Sequence, residues 1–195
     1  LEKRYIGVTD EEIKAECVLE HTLKKEENGR EEWKPELVIV SPLRRCRQTA
    51  ELIYPEYKQH IVPDFRECDF GIFEGKNYKE LSGNEQYQRW IDSNATIPFP
   101  QGEDVADFKK RSVKGWYDMI KQCRLLNYSD IACVIHGGTI MSVMSEIYGG
   151  GYYDRYLADY TGKTVSTIYS IQQKEFQPDV FDQAVQEVLV YEVTL

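Results

Sequence analysis

Four apolar residues in succession, Leu37-Val38-Ile39-Val40, closed by Ser41-Pro42, form the sharpest hydrophobic segment in the first half of the chain. They do not alternate with polar residues, so Glu36–Ser41 reads as a short central strand buried on both faces, the kind that α/β sheets use. Leu43, Cys46, Ala50 and Ile53 then recur at helical spacing up to Tyr54-Pro55, with Ser41 placed as N-cap and Pro42 at the first helical position. Ile131 to His136 repeats the buried-strand pattern. Gly137-Gly138 follows and opens a helix with Ile140, Val143, Met144 and Ile147 on its inner face, stopped at Gly149-Gly150-Gly151. Between these units Val105, Phe108, Val113, Trp116, Met119, Ile120 and Cys123 mark one face of a long helix that ends near Asn127.

The remaining segments are weaker signals. Thr9-Asp10-Glu11-Glu12 is a T-x-x-E capping box followed by Ile13, Cys17 and Val18, which predicts a helix from about Asp10 into the Lys24 to Glu27 charge run, broken at Asn28-Gly29. Ile61 to Gly75 is irregular, Tyr78 to Trp90 is helical with a break near Ser82-Gly83, and Ile97 to Gly102 is an extended loop. Thr164 to Ile171 and Val188 to Val193 read as further strands, the last at an edge. Alternating strands and helices imply an α/β three-layer sandwich, a doubly wound and mostly parallel central sheet flanked by helices, as one domain over residues 1–195.

Composition narrows the partners. Lys and Arg total 24 against 33 Asp and Glu, a formal charge of -9 spread along the chain, which speaks against nucleic acid and anionic membrane. A small anion is still compatible, because it needs only local cations and aimed N–H groups. The five cysteines (Cys17, Cys46, Cys68, Cys123, Cys133) include no C-x-x-C pair and sit mostly among apolar neighbours, which suggests free thiols in a reducing cytoplasm. No apolar run reaches membrane-spanning length.

Ligands of open α/β sheets sit beyond the carboxyl ends of the strands. At one such end Arg44, Arg45 and Arg47 crowd the opening turn of a helix, where cations are disfavoured unless an anion answers them. Arg45 is the best placed as a bidentate phosphate clamp; the alternative is that all three arginines pair with surface carboxylates. At the other end His136 is followed by two glycines, so its imidazole is expected to face the crevice, unless it is a satisfied structural histidine. No G-x-S-x-G elbow, metal-ligand histidine pattern or nucleotide-triphosphate loop is present, and His21 and His60 read as structural. Phe65 to Gly75 mixes acids and aromatics in a loop. A carboxyl packed beside Phe65 and Phe70 would have the raised pKa of a general acid, whereas Glu67, Asp69 and Glu74 as solvated loop charges is the alternative, preferred for Asp69.

Together these segments resemble the histidine phosphatase superfamily, the phosphoglycerate-mutase-like proteins. Arg4-Tyr5-Ile6-Gly7-Val8-Thr9-Asp10 is similar to the R-Y-x-G-x-x-D stretch that follows the family's R-H-G motif, and Ser41-Pro-Leu-Arg-Arg45-Cys-Arg-Gln-Thr49-Ala to its S-x-L-x-R-A-x-Q-T-A segment. Phe65-Arg-Glu67 to Glu74-Gly75 resembles L-R-E-x-x-F-G-x-x-E-G, Phe99-Pro-Gln-Gly102-Glu103 the P-x-G-E turn, and Val134-Ile-His136-Gly137-Gly138 the V-x-H-G-G segment.

The resemblance implies hydrolysis of a small phosphorylated metabolite through a phosphohistidine, in the style of α-ribazole and broad-specificity phosphatases and without metal or cofactor. Arg45 and Gly137 would bind phosphate, Glu67 would protonate the leaving oxygen and later take a proton from water, and His136 would stabilise charge on the phosphoryl oxygens. Ile6, Gly7 and Glu103 would border the leaving-group pocket. The chain departs from the pattern because Arg-His-Gly occurs nowhere in it. That motif and the first strand are expected ahead of Leu1, leaving a gap in the middle of the sheet. A bisphosphate-primed phosphoglycerate mutase and a noncatalytic phosphate-binding module are the alternatives, the short connection from Glu74 to Pro98 favouring hydrolysis over the mutase. Tyr152, Tyr153, Tyr156 and Tyr160 either form an aromatic homodimer surface or pack under the last strands.

Overall fold

In the computed structural model, which describes residues 4–14, 34–148, 168–172 and 187–192, the run Leu37–Val40 forms strand β1 with all four residues buried. Helix α1 (Arg44–Ile53) follows, then β2 (Gln59–Ile61), α2 (Glu85–Asp92), α3 (Val105–Leu125), β3 (Asp130–Ile135), α4 (Gly137–Tyr148), β4 (Ile168–Gln172) and β5 (Glu187–Glu192). The sheet order is β2-β1-β3-β5-β4. β1 pairs in parallel with β2 and with β3, β3 in parallel with β5, and β4 antiparallel with β5.

Alternation along the buried strands divides the core into two faces. Leu37, Ile39, Ile131, Cys133 and Ile135 pack with Trp116, Met119 and Ile120 of α3 and Ile140, Val143 and Met144 of α4. On the opposite face Val38, Val40, Ala132 and Val134 meet Cys46 and Ala50 of α1, and Tyr54. Helices on both sides of a mostly parallel sheet make the α/β three-layer sandwich expected from the sequence. A third cluster, Cys68, Phe73, Leu81, Phe99 and Phe108 with Tyr5, Phe70, Tyr87 and Trp90 against it, ties the loop at 65–75 to α2 and the turn at 97–102. Trp90 stacks on Phe99 at 4.8 Å between ring centroids.

Several boundaries differ from the sequence reading. Residues 10–14 are not helical, and the rest of that proposed helix, with Cys17 and His21, lies outside the described residues, as does the tyrosine group at 152–160. Leu43, not Ser41, occupies the N-cap of α1, and its side chain caps nothing. Asp10 supplies a carboxylate instead, accepting from the Arg44 N–H at 2.6 Å. The helix predicted from Tyr78 begins only at Glu85, because Asn77 takes the Lys79 and Glu80 N–H groups into a local turn and Asn84 is the N-cap, accepting from the N–H groups of Gln86 and Tyr87. Ser112 and Gly115 are buried on α3, while Val113 is only half-buried. The described strands pair continuously, β1 directly with β3 and β3 with β5, and β5 lies inside the sheet with β4 at its edge.

Asp104 caps α3, accepting from the N–H groups of Ala106 and Asp107. Asp104→Ala is expected to lower stability by about 1 kcal/mol, read as a shift in urea midpoint with unchanged slope, and Asp104→Asn to restore most of it. Among the described residues no helix is long and apolar enough to cross a membrane.

Candidate active site

The carboxyl ends of β1 and β3 lie side by side because the strands pair in register from Leu37–Ile131 to Val40–Val134. Ser41 follows β1 and His136 follows β3, and both are fully or almost fully buried. Their side chains meet: Ser41 Oγ lies 2.7 Å from His136 Nε2. The same hydroxyl accepts from the Leu43 N–H at 3.3 Å, which still leaves it a lone pair and a proton to offer Nε2. The imidazole also lies against Cys46 Sγ, at 3.5 Å from Nε2. His136 thus sits under the start of α1 with 1% exposure rather than facing an open crevice, because Ser41 offers it a buried partner. Burial, then the charges of Arg45 and Arg111, push its pKa well below the usual histidine value and keep it neutral.

Glu67 approaches from the loop after β2. Its carboxylate accepts from the Cys68 N–H at 2.8 Å and from the Gly138 N–H, on the first turn of α4, at 3.1 Å. Burial raises its pKa above the ordinary carboxyl value, against the lowering effect of those two N–H groups and of Arg45 and Arg111. It is a buried acid, not a solvated loop charge. Gly138 must lack a side chain here, since a Cβ would lie 2.4 Å from Glu67 Oε1.

Arg45 is 2% exposed and donates to the carbonyls of Thr9 and Gly7, each at 2.8 Å. Its neighbours take the other course: Arg44 pairs with Glu12, and Arg47 is exposed. The segment that Arg45 reaches is held from its other side by Glu74, which accepts from the N–H groups of Gly7, Val8 and Phe70 and from Thr9 Oγ1. A Cβ on Gly7 would lie 1.9 Å from the Cys68 carbonyl, so this residue is pressed directly onto the Glu67 loop. Ile6 is half-buried beside it. Asp69 closes a turn by accepting from the Gly71 N–H.

Glu103 is committed to Arg111, whose Nε and Nη2 reach its two oxygens at 2.6 and 2.8 Å. Burial acts to raise the Glu103 carboxyl, but the hydrogen bonds and charge of Arg111 carry it below the ordinary value. Arg45, Glu67, His136 and the Gly137 helix start are therefore brought together, Ile6 and Gly7 border them, and Glu103 stands behind the Glu67 loop. Ser41, Glu74 and Arg111 were not singled out as site residues from the sequence. Ser41 and Glu74 stand in the quoted motifs without a site role of their own, and Arg111 carries no signal beyond its place on α3. His60 lies exposed on β2. Among the described residues no group of three or more His, Cys, Asp or Glu is placed to hold a metal.

A family model described as histidine phosphatase superfamily (branch 1) matches residues 2–181. The chain is 28% identical over 117 residues to an uncharacterized phosphatase, PhoE, of Bacillus subtilis (strain 168), covering 59% of this chain and 54% of that protein. It is 28% identical over 113 residues to the broad-specificity phosphatase YOR283W of Saccharomyces cerevisiae, covering 55% of this chain and 46% of the other. The chain thus spans about half the length of these curated relatives. Its fold is similar to that of the alpha-ribazole phosphatase from Shigella flexneri, with a TM-score of 0.68 at 20% identity over 98% of this chain and 88% of that one.

Proposed function

The chain belongs to the histidine phosphatase superfamily (branch 1), and on that premise we propose that it hydrolyses a small phosphomonoester in the cytoplasm. The observation that carries the reading is the convergence of a buried arginine, a buried carboxyl with raised pKa and a glycine-led helix start at the adjoining ends of β1 and β3. Arg45 spends two of its five N–H groups on Gly7 and Thr9, and others would fork onto a phosphoryl group that also takes the Gly137 N–H. Glu67, in its protonated form, gives its proton to the leaving oxygen. His136, neutral and buried against Ser41, would stabilise the charge that develops on the phosphoryl oxygens through an N–H once its ring is turned from that partner toward the phosphoryl group. Transfer then runs through a phosphohistidine on the Arg-His-Gly segment of the family, and Glu67 takes a proton from the water that hydrolyses it. Cys46, Cys68, Cys123 and Cys133, buried free thiols, support the cytoplasmic placement.

The test is a phosphatase screen of the expressed full-length protein against sugar phosphates, phosphoglycerates and nucleotide-like monoesters. Turnover of a monoester with release of inorganic phosphate is expected. Isomerisation of 3-phosphoglycerate with a bisphosphate primer would assign it to the mutases, and phosphate binding without turnover would make it a binding module.

A further inference from the structure

Arg111 lies in the second turn of α3, on the side that faces the loop carrying Glu67. A guanidinium has five N–H groups in a fixed planar fork, and here all five are matched. Nε donates to Glu103 Oε1 at 2.6 Å. Nη1 donates to the carbonyls of Asp64 at 2.9 Å and Arg66 at 2.6 Å. Nη2 donates to the Glu67 carbonyl at 3.0 Å and to Glu103 Oε2 at 2.8 Å. The face of the guanidinium lies over Phe108, 4.8 Å from the ring centroid.

This arrangement differs in kind from that of Arg45. A saturated fork has nothing left for a substrate oxygen, so phosphate binding is excluded for Arg111. It collects three carbonyls from four consecutive residues, which no other single side chain could satisfy in one plane, and the last belongs to Glu67 itself. Glu103 fixes the fork's orientation and accepts from the Asp69 N–H at 3.3 Å, closing the brace on the far side of the loop. Gly115, one helical turn further along α3, allows the approach: a Cβ there would lie 2.7 Å from Asp64 Cβ.

We propose that Arg111 is the positioning residue of this site: it fixes the backbone of residues 64–67 and thereby the point at which the Glu67 carboxyl meets the start of α4. The proposal rests on the reading of Glu67 as the acid of a phosphatase. It gives Arg111 two separable effects, one from the shape of the fork and one from its charge, which helps hold the Glu67 carboxyl down against burial.

The experiment uses Arg111→Lys and Arg111→Gln in the expressed full-length protein. It measures kcat and KM for an alkyl phosphate and follows the Glu67 carboxyl by carbon-13 NMR titration of protein labelled at the glutamate carboxyl carbons. Lys keeps the charge and loses the fork: kcat is expected to fall about tenfold to a hundredfold with KM within about threefold, and the Glu67 titration to stay near the parental one. Gln loses both, so kcat falls at least as far and the Glu67 titration moves to higher pH. Parental kcat in the Lys variant, or a loss confined to KM, overturns the proposal. Should both variants fail to fold, Glu103→Gln, which leaves Arg111 in place, must show a smaller fall in kcat, and parental kcat there also overturns it. A parental protein that hydrolyses no monoester defeats the phosphatase reading instead. The NMR titration then decides Arg111 alone, and a Glu67 signal unmoved by Arg111→Gln counts against it.

Discussion

Replacing Glu67 by Gln is expected to slow hydrolysis of an alkyl phosphate by about 10³-fold, the ordinary worth of a positioned general acid. An activated phenyl ester should lose far less, because its leaving group departs without a proton, and the loss that remains reports the water step in which Glu67 acts as base. The pH dependence has a definite sign. Burial raises the Glu67 pKa, so the proton the acid must give is retained above the usual carboxyl range. With an alkyl substrate the rate should therefore fall as pH rises through that raised value. Gln, which cannot titrate, removes this limb. Steady-state rates on both esters from pH 5 to 9 check the prediction; equal slowing of both with the basic limb intact would mean another group supplies the proton.

The difference between what the sequence carried and what it did not is a matter of separation. Leu37–Val40 and the α3 stripe were readable because burial is written into neighbouring residues. Glu67 was readable as a candidate because Phe65 and Phe70 flank it. The partners that define these groups lie elsewhere: Ser41 meets His136 across 95 residues and Arg111 meets the Glu67 carbonyl across 44. The cap of α1 shows the same effect. Ser41 has the right chemistry for capping, yet its hydroxyl serves the imidazole, and Asp10, 34 residues earlier in the chain than Arg44, completes the helix start. The capping box at Thr9 was misleading for a related reason. Thr9 Oγ1 donates to Glu74 and the Thr9 carbonyl accepts from Arg45, so Thr9 is tied to the site and does not cap a helix over residues 10–14.

Arg45→Met is expected to raise the dissociation constant for inorganic phosphate or vanadate by about 10²–10⁴-fold, the loss of two charge-assisted hydrogen bonds worth about 1.5–3 kcal/mol each. Arg45→Lys should recover only part of this, since an ammonium restores the charge but cannot fork. Weakened binding alone is ambiguous, because the same guanidinium holds the carbonyls of Gly7 and Thr9 and its removal loosens that wall. The electrostatic effect on His136 separates the two. Burial is the main reason the imidazole stays neutral, and the Arg45 charge is the next. In Arg45→Met the His136 titration should therefore move up toward the ordinary histidine range, while in Arg45→Lys it should stay close to the parental value. Nitrogen-15 spectra of the imidazole across the pH range follow both variants directly. Unchanged phosphate affinity in a folded Arg45→Met protein would remove Arg45 from the site. Weakened affinity with an unmoved His136 would place the loss in the 7–9 wall and leave the anion to the helix start at Gly137.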